Sequence, residues 1–149
     1  MSPLQSAVIG AGFVGRAHIE GLRRLGIPVL GVLDNTPERS EALRAELRLA
    51  RAYRSLDELC SDHTLHVVHV CTPNHLHYEQ ASTLLSAGKH VLCEKPVAMN
   101  PRESAALVEL ARKHKRVGAV NYNLRYYPLC QEARARIASG AIGEPRLVH

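Results

Sequence analysis

Ala7-Val8-Ile9-Gly10-Ala11-Gly12-Phe13-Val14-Gly15-Arg16-Ala17-His18 decides the fold of this 149-residue chain. Three apolar residues end a buried strand, and G-x-G-x-x-G then turns the chain into a helix. Gly10 permits a turn in which a side chain would clash. Gly12 lacks the Cβ that would keep a pyrophosphate from the backbone, and Gly15 lets the helix pack closely on its strand. The helix beginning near Phe13 aims free N–H groups and a positive dipole end at a phosphate, so no basic side chain is needed there. Such a turn binds a dinucleotide; glycines in an ordinary strand-to-helix turn are the plainer alternative.

The context favours the dinucleotide. Val14, Ala17, Leu22 and Leu25 roughly follow helical spacing after the turn, and a second apolar run, Pro28 to Leu33, ends in Asp34, nineteen residues after Gly15. A carboxylate at that place accepts hydrogen bonds from the adenosine ribose hydroxyls and repels a 2′-phosphate, and no basic residue follows until Arg39. NAD is therefore expected rather than NADP.

The rest of the chain alternates strands with helices. Thr36 caps a helix with Pro37 at its first position and Glu38 in its first turn. Arg51 to Tyr53 is a short strand, and Ser55 opens a single helical turn. Val67 to Cys71 is the continuous apolar run of a parallel strand buried on both faces. It ends in Thr72-Pro73-Asn74-His75-Leu76-His77, at the carboxyl end of a strand, where open α/β sheets bind ligands. A helix runs to about Ala87, with Ala81, Leu84 and Leu85 on one side and Gly88 closing it. His90 to Cys93 then gives a fifth strand before Glu94-Lys95-Pro96. Asn100-Pro101 starts a helix bearing Ala105, Leu107, Val108 and Ala111, and Arg116 to Val120 is a sixth strand. The order predicts a doubly wound parallel sheet, the Rossmann fold. After it come Asn121 to Pro128, with three of the five tyrosines, a helix to Gly140, and Gly143-Glu144-Pro145-Arg146-Leu147-Val148-His149, which begins another strand and stops.

Composition narrows the function. At this length one domain buries roughly 70% of its unfolded surface. No apolar stretch nears the roughly 20 residues that span a bilayer, and the first residues lack the pattern of a signal peptide, so a cytoplasmic protein without membrane contact is expected. Cys60, Cys71, Cys93 and Cys130 form no C-x-x-C pair, and no disulfide is expected. The net charge of +5 lies in the last third: residues 1–100 carry ten basic and ten acidic side chains, residues 101–149 nine and four. Those charges are spread along helices with no groove-reading motif, so nucleic acid is not the expected partner. His66, His69, His75, His77 and Cys71 invite a zinc reading, but His66 falls on the opposite strand face from His69 and Cys71 and no zinc spacing is present; no metal is expected. His75 is read as a helix cap, His18 as packing or a hydrogen bond to the next strand, and Asp57, Glu58 and Asp62 as a solvated face.

Five ordered features resemble the glucose-fructose oxidoreductase and inositol dehydrogenase family over essentially the whole chain: Gly10 to Gly15, Asp34, Thr72-Pro73-Asn74, Glu94-Lys95-Pro96 and Asn123-Leu124-Arg125-Tyr126-Tyr127-Pro128. The resemblance implies a two-domain enzyme moving a hydride between a nicotinamide cofactor and a sugar, cyclitol or related polyol. By position, Gly10, Gly12, Phe13, Val14 and Gly15 would hold the pyrophosphate and Asp34 the adenosine ribose. Thr72, Pro73, Asn74 and His77 would line the cleft, and Glu94 and Lys95 would sit by the nicotinamide ribose. Lys95 would be the catalytic cation near the reacting carbon, where a positive charge stabilises a developing alkoxide. Asn123 and Arg125 would face the cofactor, although a guanidinium there binds phosphate or braces a loop equally well.

The family's general acid/base lies in a second, largely antiparallel domain, and this sequence stops as that domain would begin. Residues 1–121 are accordingly read as the dinucleotide domain, and 122–149 as a connecting segment and the start of a truncated substrate domain. A non-catalytic NAD-binding module, sensor or remnant, is the alternative function. The surface around Tyr122, Tyr126, Tyr127, Leu147 and Val148 is expected to be exposed and apolar, which favours self-association.

Overall fold

Six parallel strands form one sheet in the computed structural model, which describes residues 4–147. They are β1 (Ser6–Ile9), β2 (Val29–Leu33), β3 (Arg51–Tyr53), β4 (Val67–Val70), β5 (His90–Glu94) and β6 (Gly118–Asn121), in the order β3-β2-β1-β4-β5-β6. All four residues of β1 are buried, and their side chains alternate between two cores. Ala7 and Ile9 join Val68, Val70, Leu84 and Leu59 on one face. Val8 joins Val32, Ile19, Leu22 and Leu43 on the other. A strand buried on both sides is apolar on both faces, so periodicity of two is absent from Ala7 to Ile9, and the one polar residue, Ser6, is satisfied by donating its hydroxyl to the Pro28 carbonyl oxygen at 2.8 Å.

The second face is covered by α1 (Phe13–Arg24) and α2 (Pro37–Glu46), the first by α3 (Leu56–Ser61), α4 (His77–Ser86) and α5 (Pro101–Lys113). The caps are those the sequence predicts. Thr36 accepts from the Arg39 N–H, Ser55 from Glu58 and Asn100 from Glu103, and Gly88 takes a left-handed φ of 79° after α4.

Three expectations need correction. The buried stripe of α1 is Gly15, Ile19 and Leu22, whereas Ala17 and Leu25 are exposed, because Gly15 is the point at which the helix meets its strand. In α5, Leu107 is buried and Val108 is exposed. Asp62 is not on a solvated face: its carboxylate accepts from the Tyr53 hydroxyl at 2.6 Å, from Thr64 Oγ1 at 2.6 Å and N at 3.0 Å, and from Arg51. Burial raises the affinity of that carboxyl for a proton, but these donors outweigh burial and hold it well below the usual carboxylate range.

The sheet ends at Asn121. Beyond it, α6 (Pro128–Ala138) and every described residue from Tyr122 to Leu147 are exposed. Gly143 to Leu147 form no strand, since a strand needs a ladder partner and none lies beside them among the described residues. Val148 and His149 lie outside the described residues.

Candidate functional site

The glycine turn leaves β1 at the carboxyl edge of the sheet, and its three glycines have different reasons to be there. Gly10 has φ +79°, and a Cβ on it would meet the Cys71 carbonyl oxygen at 2.9 Å. A Cβ on Gly15 would lie 2.0 Å from the Gly10 carbonyl oxygen. Both are required by the fold. A Cβ on Gly12 would meet nothing within 4 Å, so the protein itself has no use for a glycine at this place. Gly12 is the N-cap of α1, no side chain caps the helix, and its first turn contains no acidic residue. Bare N–H groups beside cleared space suit a pyrophosphate, and this chain therefore fits a dinucleotide. The Phe13 side chain projects into solvent, so Phe13 and Val14 have backbone N–H groups to offer.

Asp34 follows β2 on the same edge. Its Oδ2 accepts from the Ala11 N–H at 2.9 Å and its Oδ1 from the Asn35 N–H at 2.9 Å. The carboxylate thus braces the glycine turn and keeps lone pairs for two further donors. Beside it opens a groove of about 380 Å³ between the ends of β1, β2 and β4, lined by Gly10, Asp34, Asn35, Thr72, Pro73 and Gln80. Gln80, whose amide oxygen accepts from Thr72 Oγ1 at 2.6 Å, is not visible as a site residue in the sequence, nor are Arg54, Ser55, Leu56 and Leu76 on the same groove. Asn74 opens a short 3₁₀ turn, Asn74–Leu76, and is exposed.

At the other end of the edge, β5 delivers Lys95 to solvent. Glu94 turns inward. Its Oε1 lies 2.9 Å from His18 Nε2 and accepts from Asn121 Nδ2 at 2.5 Å, and its Oε2 accepts from the Lys95 N–H at 3.3 Å. Burial raises that carboxyl, and the Asn121 and His18 contacts more than offset it, so it stays below its ordinary range. His18, read as packing or a hydrogen bond to the next strand, makes hydrogen bonds to more distant strands: it stands at the centre of a polar group that also contains His69 on β4, at 2.9 Å between Nδ1 atoms. Asn123 and Arg125 lie in a 3₁₀ segment after β6, Asn123–Tyr126, both exposed and next along the edge from Lys95.

His77 does not line the cleft. It is fully buried, with Nδ1 at 2.7 Å from the Pro96 carbonyl oxygen and Nε2 at 2.8 Å from that of Thr72. As the first residue of α4 it sits under the 3₁₀ turn and ties the Thr72 and Pro96 segments together. His75 caps nothing: it is exposed, and no side chain caps α4. Among the described residues no group of three or more His, Cys, Asp and Glu side chains is placed to hold a metal ion. Cys71 and Cys93 are both pushed up to about 12 by burial, which leaves them as unreactive thiols at neutral pH. No helix among the described residues is long and apolar enough to cross a membrane.

The family described as an oxidoreductase family with an NAD-binding Rossmann fold matches over residues 4–122. Similar curated proteins include the 1,5-anhydro-D-fructose reductase of Ensifer adhaerens, 36% identical over 93% of this chain and 42% of its own length. The levoglucosan dehydrogenase of Pseudarthrobacter phenanthrenivorans is 34% identical over 96% of this chain and 39% of its own. Among solved structures, an NAD-binding oxidoreductase from Klebsiella pneumoniae superposes with a TM-score of 0.88 at 35% identity, covering 97% of this chain and 41% of that one. A levoglucosan dehydrogenase in complex with NADH and levoglucosan gives 0.87 at 31% identity, over 96% and 41%. The chain thus spans about 40% of the length of the relatives it matches.

Proposed function

The chain belongs to the oxidoreductase family with an NAD-binding Rossmann fold, and from that membership we propose that it is the cofactor half of a dehydrogenase acting on a hydroxyl of a sugar, cyclitol or related polyol. Residues 1–121 are the dinucleotide domain and 122–149 a connecting segment. The observation that carries the reading is Gly12: a glycine with clear space where its side chain would stand, at the uncapped end of α1.

In this reading the N–H groups of the α1 first turn, with Gly10, Gly12, Phe13, Val14 and Gly15 around them, take the pyrophosphate. Asp34 takes the adenosine ribose, and Thr72, Pro73 and Asn74 border the adenosine groove. His77 holds two loops together and leaves the contact set. Glu94 sits behind Lys95 rather than on the ribose, while Asn123 and Arg125 border the nicotinamide end. NAD supplies a hydride acceptor, and NADP is the poorer ligand. Lys95 presents an exposed ammonium beside it, positioned to lower the cost of an alkoxide. The substrate classes of the relatives, anhydrofructose and levoglucosan among them, support a polyol or sugar. In this reading the protein is cytoplasmic and acts on small molecules, with neither nucleic acid nor membrane as partner.

Calorimetric titration of NADH into the purified chain tests the reading. The expected result is one site per chain, accompanied by thermal stabilisation that rises with ligand, about 2.7 kcal/mol at a hundred times Kd. A folded chain that gives no heat with NADH overturns it. Self-association is a second expectation. Tyr126 is 79% exposed and Leu129 84%, and Tyr122, Tyr127 and Leu147 are exposed with them, so sedimentation should give a weight-average mass that climbs with concentration. A monomer across the accessible range would remove that expectation alone.

A further inference from the structure

We propose that His18 is a positioning residue for the nicotinamide end of the site, joining the helix that receives the pyrophosphate to the strand ends that carry Lys95 and Asn123. The proposal rests on the dinucleotide reading above. His18 is on α1, in the second turn after the glycines. Its ring reaches Glu94 Oε1 at the end of β5 and lies 3.1 Å from Asn121 Nδ2 at the end of β6. The Asn121 amide and the Lys95 N–H converge on the same carboxylate. One buried carboxylate therefore gathers a helix and two strand ends. The His18 and Glu94 side chains are only 8% and 12% exposed, so water competes little for these bonds.

The protons of this group have an order. A carboxylate only accepts, so His18 Nε2 donates to Glu94. His69, on β4, is pushed down to about 4, first by burial and then by His18, and is neutral at pH 7. Two Nδ1 atoms 2.9 Å apart need one N–H and one lone pair between them. His18 is thereby held at Nε2 by Glu94 and at Nδ1 by His69. The ring is thus fixed from both sides, and its plane sets the direction of Glu94. The two rings stand edge to face, 88° between planes, which holds that arrangement.

A dinucleotide bound along the edge spans both ends of this junction. Its pyrophosphate is fixed by the start of α1, and its nicotinamide must then meet Lys95. The β1–β4–β5–β6 ladders space the strand ends, and the His18–Glu94 bond adds a direct side-chain tie from α1 to the ends of β5 and β6, with β4 lying between.

ADP-ribose, which carries the adenosine and pyrophosphate without the nicotinamide, separates positioning from mere stability. His18→Leu should weaken NADH about tenfold, as expected for one charge-assisted hydrogen bond, and weaken ADP-ribose less than about twofold. The emission of bound NADH should fall with it, and His18→Gln, which keeps an N–H for Glu94, should recover most of the NADH affinity. Asn121→Ala, at the less buried end of the group, should split the two ligands in the same direction should His18→Leu fail to fold. Equal losses for both ligands, or none for either, would overturn the proposal and leave the dinucleotide site standing. A wild-type chain that binds neither ligand would remove both.

Discussion

Gly12→Val is expected to fold as the wild type does and to lose NADH by about a hundredfold or more, about 2.7 kcal/mol, while Gly15→Val is expected not to fold at all. The difference follows from what each Cβ meets. At Gly12 it enters open space and φ is −69°, an angle valine adopts readily, so the unfolding free energy from urea titration should change by less than about 0.5 kcal/mol. The two methyls then occupy the volume over the bare N–H groups of α1. At Gly15 the new atom lies 2.0 Å from a backbone oxygen that cannot move without unseating β1, and the cost should exceed about 4 kcal/mol. Urea unfolding and NADH titration on the two variants check this. A Gly12→Val chain that binds NADH normally would mean the cleared space is not where the pyrophosphate lies.

Asp34→Ala should weaken NADH by about 10- to 100-fold, the size expected for lost hydrogen bonds to a charged acceptor, and should leave NADPH much less affected. A carboxylate attracts two ribose hydroxyls but repels a 2′-phosphate, so its removal hurts one ligand and relieves the other. Asp34→Asn separates two roles. The amide oxygen can still accept from the Ala11 N–H and hold the turn, while the charge is gone. The ratio of NADH to NADPH affinity, measured by calorimetry for all three chains, is the readout. A ratio that does not change would make Asp34 a brace for the glycine turn and nothing more.

The fold was legible because its signals are local. Thr36, Ser55 and Asn100 cap their helices where the chain has a hydroxyl or amide followed by a charged residue, and the apolar runs of β1 and β4 are continuous because both faces are covered. The glycine turn and Asp34 were legible for the same reason. Residues whose role depends on what folds over them were not. His77 follows a strand end, as a cleft residue would, yet α4 begins on it and buries it completely. His18 and Glu94 are 76 residues apart, and nothing near either one announces the other. Asp62 looks like an acidic surface residue until Tyr53, nine positions earlier, is seen to lean on it.

The strand order has a kinetic consequence. β1 occupies the middle of the sheet, and its second neighbour, β4, begins with Val67 opposite Ser6. During synthesis the first strand must wait for about sixty further residues before that side is paired, roughly 3–12 s at 5–20 residues per second. Until then Ala7 and Ile9 have half a core to lie against, and the groove beside Asp34 has one wall. The recess beside Asp34 is thus completed only when β4 docks at the centre of the sheet, before β5 and β6 extend its far side.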